Sequence, residues 1–289
     1  MTDRPLSLTE RFSELAPRYD LVLSDVWGVV HNGITAWPDA CAALARFRAE
    51  GGTVVLISNA PRPGEKLKSQ LDGFGVPRTA YDAIVSSGDV TVGEIAARPG
   101  EPVCHIGPAR DYALFDGLDA PRVSPEEARY VVCSGLFDDD TETPEDYRPT
   151  LDLMLRRELL MICANPDLVV ERGDRLVYCA GALADLYGEM GGKVLYAGKP
   201  HPPIYERALA QGKTLRGSAT PLSRVLAIGD SIRTDVTGAV RLGIDSLFIT
   251  SGIHAEELGG RHDPDLATLA RMFEAAGVAP TAVTRTLAW

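Results

Sequence analysis

The sequence predicts an α/β protein: a doubly wound, Rossmann-like parallel sheet with a second α/β domain inserted into it. Three observations predict this. Short continuous apolar runs recur along the chain, separated by longer stretches of helical period, as in strands buried on both faces. Several runs close on a small cluster of polar residues, the place where open α/β sheets gather ligand chemistry. Between about residues 90 and 190 the runs continue, but the polar endings almost vanish.

The first run, "LVLSD" (21–25), predicts a strand that delivers Asp25 into a turn. "PDACAALARFRAEGG" follows, with Pro38 suited to a first helical turn and Gly51 to a stop. "TVVLISN" (53–59) is the next strand, and "PGEKLKSQLDGFG" (63–75) a helix that ends in glycine. "AIVSSGD" (83–89) is again strand-like. In the middle, "EDYRPTLDLMLRREL" sets Tyr147, Leu151, Met154 and Leu155 on one helical stripe, and "GALADLYGEMGG" (181–192) is a helix closed by glycines. Late in the chain "VLYAGKP" (194–200), "RVLAIGD" (224–230) and "SLFITSG" (246–252) repeat the strand form. The tail, 262–289, reads as a helix and then an irregular end. A core domain is therefore expected from 1–88 and 193–289, with 89–192 as the inserted domain.

Composition narrows the function. A chain of 289 residues suits one large or two modest domains. Its 45% hydrophobic and 24% charged residues are an ordinary globular mix. The net charge of −11 repels phosphate backbones and anionic membranes, so neither nucleic acid nor membrane is an expected partner. Any phosphate ligand must be drawn in by local positive charge, such as a metal. Five Cys lack zinc-ligand spacing and sit mostly in apolar runs, which reads as buried thiols in a reducing cytoplasm. No run approaches the ~20 apolar residues of a membrane span, and the opening "MTDRPLSLTERFSEL" has no signal-peptide core. No strand is followed by G-x-G-x-x-G, which disfavours a dinucleotide-binding oxidoreductase.

The polar strand ends carry the chemistry. Asp25 alone is a nucleophile, a metal ligand or a turn cap. "GDSIRTD" (229–235) adds Asp230 and Asp235 behind another buried strand, and such oxygen-rich ligands suit Mg²⁺ rather than zinc. Ser58 and Asn59 offer a hydroxyl and an amide to phosphate oxygens, or form an ordinary strand-to-helix turn. Lys199, in "GKPHPP", is a phosphate-binding point charge or a surface lysine.

In this order, strand–Asp25, strand–Ser58-Asn59, Gly198-Lys199-Pro200 and "GDSIRTD" resemble the haloacid dehalogenase superfamily of phosphatases. The inserted middle and "NPD" (165–167) look like its class with a C2-type α/β cap, near the NagD-like sugar and nucleotide phosphatases. The resemblance implies a Mg²⁺-dependent phosphatase of a small phosphorylated metabolite, a sugar phosphate or a nucleotide. Asp25 would take the phosphoryl group as an aspartyl-phosphate. Mg²⁺ would be held by Asp25, the main-chain carbonyl of Trp27 and Asp230, with Asp235 in support. Ser58 and Lys199 would hold phosphate oxygens, Asn59 would shape the site, and Asn165 and Asp167 would face the substrate from the cap. Caps of this type make dimer contacts in similar proteins, so a homodimer joins the expectations.

One position departs from the pattern. These phosphatases usually carry a second Asp two residues after the nucleophile, to protonate the leaving oxygen and then activate water. Trp27 stands there. General acid–base help is worth typically 10²–10⁴-fold, so turnover should suffer while metal and phosphate binding survive. The dehalogenases share an aromatic residue at this place but work without Mg²⁺, and this chain keeps Asp230 and Asp235. His31, in the same turn, is a candidate replacement acid or a residue packed into the flap, and His201 is a second candidate. The competing reading is a catalytically weak, phospho-ligand-binding or regulatory protein on the same scaffold.

Overall fold

The computed structural model describes residues 8, 9, 11–172 and 175–289. Among them the first elements are β1 (Leu21–Asp25), α1 (Pro38–Ala49), β2 (Thr53–Ser58), α2 (Gly64–Phe74), β3 (Ala83–Ser86) and α3 (Ser87–Ala96). The middle holds β4 (Val103–Ile106), β5 (Tyr130–Cys133), α4 (Arg148–Arg156), β6 (Leu160–Cys163), β7 (Val169–Arg172), β8 (Arg175–Tyr178), α5 (Ala180–Glu189) and β9 (Lys193–Tyr196). The chain ends with α6 (Pro202–Arg216), β10 (Val225–Gly229), α7 (Thr237–Leu242), β11 (Asp245–Ile249), α8 (Leu266–Ala276) and β12 (Ala282–Thr284).

Two compact units emerge. The first runs to Ser58, resumes over Leu67–Val85 and again over Tyr205–Trp289. Its six-stranded sheet has the order β12-β11-β10-β1-β2-β3. β1 pairs in parallel with both β2 and β10, placing Leu21 opposite Thr53 on one side and Val225 on the other. β1 is therefore the point where the strand order reverses, and side chains at the carboxyl ends of β1 and β10 flank a switch point. Leu21, Val22, Leu23 and Val54–Leu56 are fully buried, which accounts for the lack of polar alternation in these strands. Helix α1 begins on Pro38 and buries Ala40, Cys41, Ala43, Leu44 and Phe47 in the core beside Val22, Val54 and Leu226.

The second unit comprises Asn59–Lys66 and Ser86–Ile204. Its parallel sheet has the order β4-β5-β6-β9, and β7 and β8 form an antiparallel hairpin. Tyr147, Leu151 and Met154 are buried in its core, as their helical stripe predicts. Pro149 lies in the first turn of α4, preceded by a 3₁₀ turn over Pro144–Tyr147.

Three details differ from the sequence reading. The run at 194–200 does not begin the return to the first sheet: β9 pairs with β6, Leu160 opposite Lys193. A short apolar run fits either sheet, so its pattern cannot say which one it joins. Residues 59–66 fall in the second unit although they lie far upstream of the expected insertion. Ser86 Oγ donates to Arg62 O (2.6 Å), Gly88 N to Ala60 O (3.1 Å) and Gly64 N to the Asp89 carboxylate (3.1 Å), tying the segment to the start of α3. The tail is not irregular throughout, because β12 extends the first sheet beside β11.

All five cysteines are buried thiols, and burial pushes Cys41 and Cys104 up to about 11, too high for reactive thiolates. Among the described residues no helix is long and apolar enough to cross a membrane.

Leu44, fully buried at the centre of α1, tests this packing. Leu44→Ala should cost about 2–5 kcal/mol. A lowered midpoint in urea unfolding checks it, and an unchanged midpoint would contradict the burial.

Candidate active site

Asp25, Asp230 and Asp235 meet in the first unit. Each offers one carboxylate oxygen, and the three atoms lie within 4.8 Å of one another. Asp25 closes β1, and its Oδ1 accepts from Val26 N at 2.7 Å. Asp230 follows β10, the strand paired to β1, and its Oδ2 accepts from Ile253 N at 2.8 Å. Asp235 lies one turn further on, with Oδ2 accepting from Ser231 N at 3.1 Å. Asp230 and Asp235 are buried.

Glycines make this approach possible. A Cβ on Gly28 would sit 1.9 Å from Asp230 Oδ2, one on Gly252 2.0 Å from the same oxygen, and one on Gly229 2.1 Å from the Asp235 carboxyl carbon. Gly28 also has φ +81°, a backbone conformation open to few side-chain-bearing residues. Gly252 and the Ile253 amide are contributions that residue-type reasoning missed. Their signal is the glycine that ends "SLFITSG", in the turn that follows β11.

Three carboxylates at such range repel one another unless a cation or protons intervene. An all-oxygen donor set fits a hard divalent ion, Mg²⁺ or Ca²⁺, and fits zinc poorly.

The flap after β1 holds Trp27 and His31. Gly28 N donates to His31 O at 2.9 Å, and Trp37 N to Val30 O at 2.8 Å, folding the segment back on itself. The Trp27 indole lies on Gly33, where a Cβ would stand 2.5 Å from the ring, and meets His31 edge-on at 5.5 Å. Trp27 remains 47% exposed. His31 is buried between Trp27 and Phe74, and its Nδ1 accepts from Gly33 N at 2.8 Å. Burial lowers its pKa to about 4, leaving it neutral near pH 7. This geometry fits a residue packed into the flap better than a proton donor.

Ser58 ends β2 in the first unit. Asn59, Asn165, Asp167 and Lys199 are gathered in the second. Asn59 Nδ2 donates to Asp167 Oδ1 at 2.9 Å and to Lys199 O at 3.2 Å, while its Oδ1 accepts from Lys199 N at 2.7 Å. Asn165 Oδ1 accepts from Asp167 N at 3.1 Å. Lys199 is 2% exposed, which removes the surface-lysine reading. A Cβ on Gly198 would lie 2.4 Å from Asn59 Oδ1, so the glycine of "GKP" lets this bracket close. His201 stacks on Tyr196 at 4.3 Å.

Comparison with known proteins identifies the family. Residues 22–120 match a family model described as haloacid dehalogenase-like hydrolase, and 196–285 match a second, HAD-hydrolase-like model. The chain is 48% identical to a haloacid dehalogenase-like hydrolase from Brucella suis 1330 of known structure. That match covers 97% of this chain and 100% of the other, with a TM-score of 0.85. It is 26% identical over 250 residues to the D-glycerol 3-phosphate phosphatase of Mycobacterium tuberculosis, covering 83% of this chain and 65% of that protein. The chain thus spans just under two thirds of that relative. A glycerol phosphate phosphatase from M. tuberculosis, solved in complex with magnesium, shares the fold at TM-score 0.68 and 22% identity, over 94% of this chain and 76% of that one.

Gly28→Ala and Gly252→Ala should displace the Asp230 carboxylate and weaken divalent-cation binding at least tenfold by isothermal titration calorimetry; wild-type affinity would contradict the close approach. For His31, the unfolded chain takes up a proton near pH 6.5 that the folded state refuses until about pH 4. Stability should therefore fall as pH drops through this window, by up to about 3 kcal/mol from this residue. Chemical denaturation of His31→Gln across pH 4–7 should show a shallower slope than wild type, and an equal slope would contradict the neutral, buried imidazole.

Proposed function

The chain belongs to the haloacid dehalogenase-like hydrolases, and from that premise we propose that it is a Mg²⁺-dependent phosphatase of a small phosphorylated metabolite, acting through an aspartyl-phosphate on Asp25. The observation that carries this reading is the convergence of Asp25, Asp230 and Asp235 at the sheet's switch point.

The proposed steps follow from the residues. Asp25 attacks phosphorus in line with the leaving oxygen; the P–O bond to the metabolite breaks as the bond to Asp25 Oδ forms. Asp25, Asp230 and the Trp27 carbonyl are the proposed Mg²⁺ ligands, with Asp235 holding the Ser231 turn behind them. When bound, Mg²⁺ neutralises phosphate charge and lets an anionic nucleophile approach an anionic group. Ser58 and Lys199 are the proposed holders of the phosphoryl oxygens. Asn59 fixes the Lys199 backbone through its two hydrogen bonds, and Asn165 and Asp167 are proposed to face the metabolite. Water then cleaves the aspartyl-phosphate, releasing inorganic phosphate and regenerating Asp25.

The weak step is proton delivery to the leaving oxygen. Trp27 has no acid to give, and the packed, neutral His31 is poorly suited to supply one. Metabolites whose leaving oxygen needs no proton should therefore turn over best. The same observation favours the second reading, a phospho-ligand-binding protein with residual turnover.

Phosphate release from a panel of metabolites and 4-nitrophenyl phosphate, with Mg²⁺ and with chelator, tests the proposal. Asp25→Asn should lower turnover at least 10³-fold, and chelation should abolish it. Equal rates for wild type and Asp25→Asn would sink the enzyme reading. Trp27→Asp separates the two readings: a gain of 10²-fold or more on poor leaving groups marks a dampened phosphatase.

A further inference from the structure

Asp111 and Arg62 form a polar pair that the proposed phosphatase chemistry does not use. Both lie in the second unit, at the carboxyl end of its parallel sheet. Asp111 sits in the helical turn Ala109–Phe115 that follows β4, and its backbone N donates to Pro108 O at 3.1 Å. Its side chain is only 3% exposed, and its Oδ1 has no hydrogen-bond partner among the described residues. The nearest opposite charge is Arg62 Nε at 3.7 Å, too long for a hydrogen bond. An unsatisfied acceptor on a buried carboxylate is costly, so its retention calls for a reason.

Arg62 is built in rather than draped over the surface. Its carbonyl accepts from Ser86 Oγ at 2.6 Å, and a Cβ on Gly88 would lie 2.4 Å from its carbonyl carbon. That fixes the backbone while the guanidinium stays 40% exposed. Close by in the same unit, Ser134 follows β5 and its Oγ pairs with His105 Nε2 at 2.9 Å. Gly107 admits this contact, since a Cβ there would lie 2.2 Å from Ser134 Oγ. The next cation, Arg110, is already paired with Asp139. Burial raises the pKa of Asp111, opposed by Ser134, Arg62 and Arg110.

The charge balance selects the ligand. Arg62 and Asp111 cancel, as do Arg110 and Asp139, so a second anion on the ligand would gain little. What the pair lacks is a donor for Asp111 Oδ1, while the Arg62 guanidinium, 40% exposed, has donors to offer beside it. A hydroxyl is donor and acceptor at once, and adjacent hydroxyls serve two partners. We propose that Asp111 and Arg62 form a binding site in the second unit for a neutral, hydroxyl-bearing ligand group, such as the diol of a polyol or sugar ring. That this group belongs to the phosphorylated substrate rests on the phosphatase reading; the binding itself does not.

Binding is measured first, without turnover, by saturation-transfer NMR on the full chain with glycerol, a hexose and a ribonucleoside, with 1,4-dioxane as hydroxyl-free control. Wild type should show transfer to at least one hydroxyl-bearing ligand and none to dioxane, and the panel identifies the source of the hydroxyls. Asp111→Leu, which keeps the bulk without the acceptor, and Arg62→Ala should each lower the signal at least fivefold. No transfer to any hydroxyl-bearing ligand, or undiminished transfer in both variants, overturns the proposal. Should Asp111→Leu fail to fold, Arg62→Ala decides alone. Kinetics then test the link to catalysis. Arg62→Ala should raise KM for glycerol 3-phosphate about tenfold and leave KM for 4-nitrophenyl phosphate unchanged, and equal rises overturn recognition of the substrate's hydroxyls. If wild type hydrolyses neither compound, the phosphatase reading fails while the NMR result stands by itself.

Discussion

Three carboxyl groups, each with an oxygen within 4.8 Å of the others, are the constraint on which the first unit depends. Asp25 and Asp230 are brought together because their strands are neighbours, and Asp235 because a tight turn folds it back under Ser231. At 28, 229 and 252 the backbone comes so close to Asp230 or Asp235 that only glycine leaves room. The apolar strands beneath make the arrangement stiff: they are buried on both faces, so the carboxylates cannot separate by moving a strand without exposing the core. Repulsion that the fold does not relax must be met by a cation or by protons, so the charge state of the cluster is tied to the sheet topology.

Much of this was legible in the sequence. Continuous apolar runs ending in Asp25 and Asp230 revealed the parallel sheet and its carboxylates, because burial on both faces leaves no other residue pattern. Lys199 and Asn59 were also visible as polar residues after such runs. The ownership of segments was not legible. β9 has the same composition as a first-unit strand, and pairing partners leave no mark on so short a run. Residues 59–66 belong to the second unit through backbone and hydroxyl contacts to α3, which no periodicity encodes. Asp111 was hidden for a related reason: the helical turn around it is too short for a pattern, and its burial comes from tertiary packing.

The flap shows how one large side chain is housed. The Trp27 ring lies along Gly33, whose missing side chain makes the room, and beside His31. His31 in turn gives its Nδ1 to the Gly33 amide. Trp27, His31 and Gly33 thus form one packed group, and changing the residue at 27 alone removes a ring that both of the others touch.

The central pairing has a consequence for synthesis. β1 lies between β2 and β10, and Leu21 is opposite Val225, about 200 residues later. At about 5–20 residues per second, a ribosome needs on the order of 10–40 s to deliver β10 after β1 has been made. β2 covers one edge of β1 early, but the other edge, with its apolar face and unpaired amides, must wait. The nascent chain therefore carries a sticky strand through most of its own translation, and the interval rather than the finished fold is where holding by a chaperone would matter most.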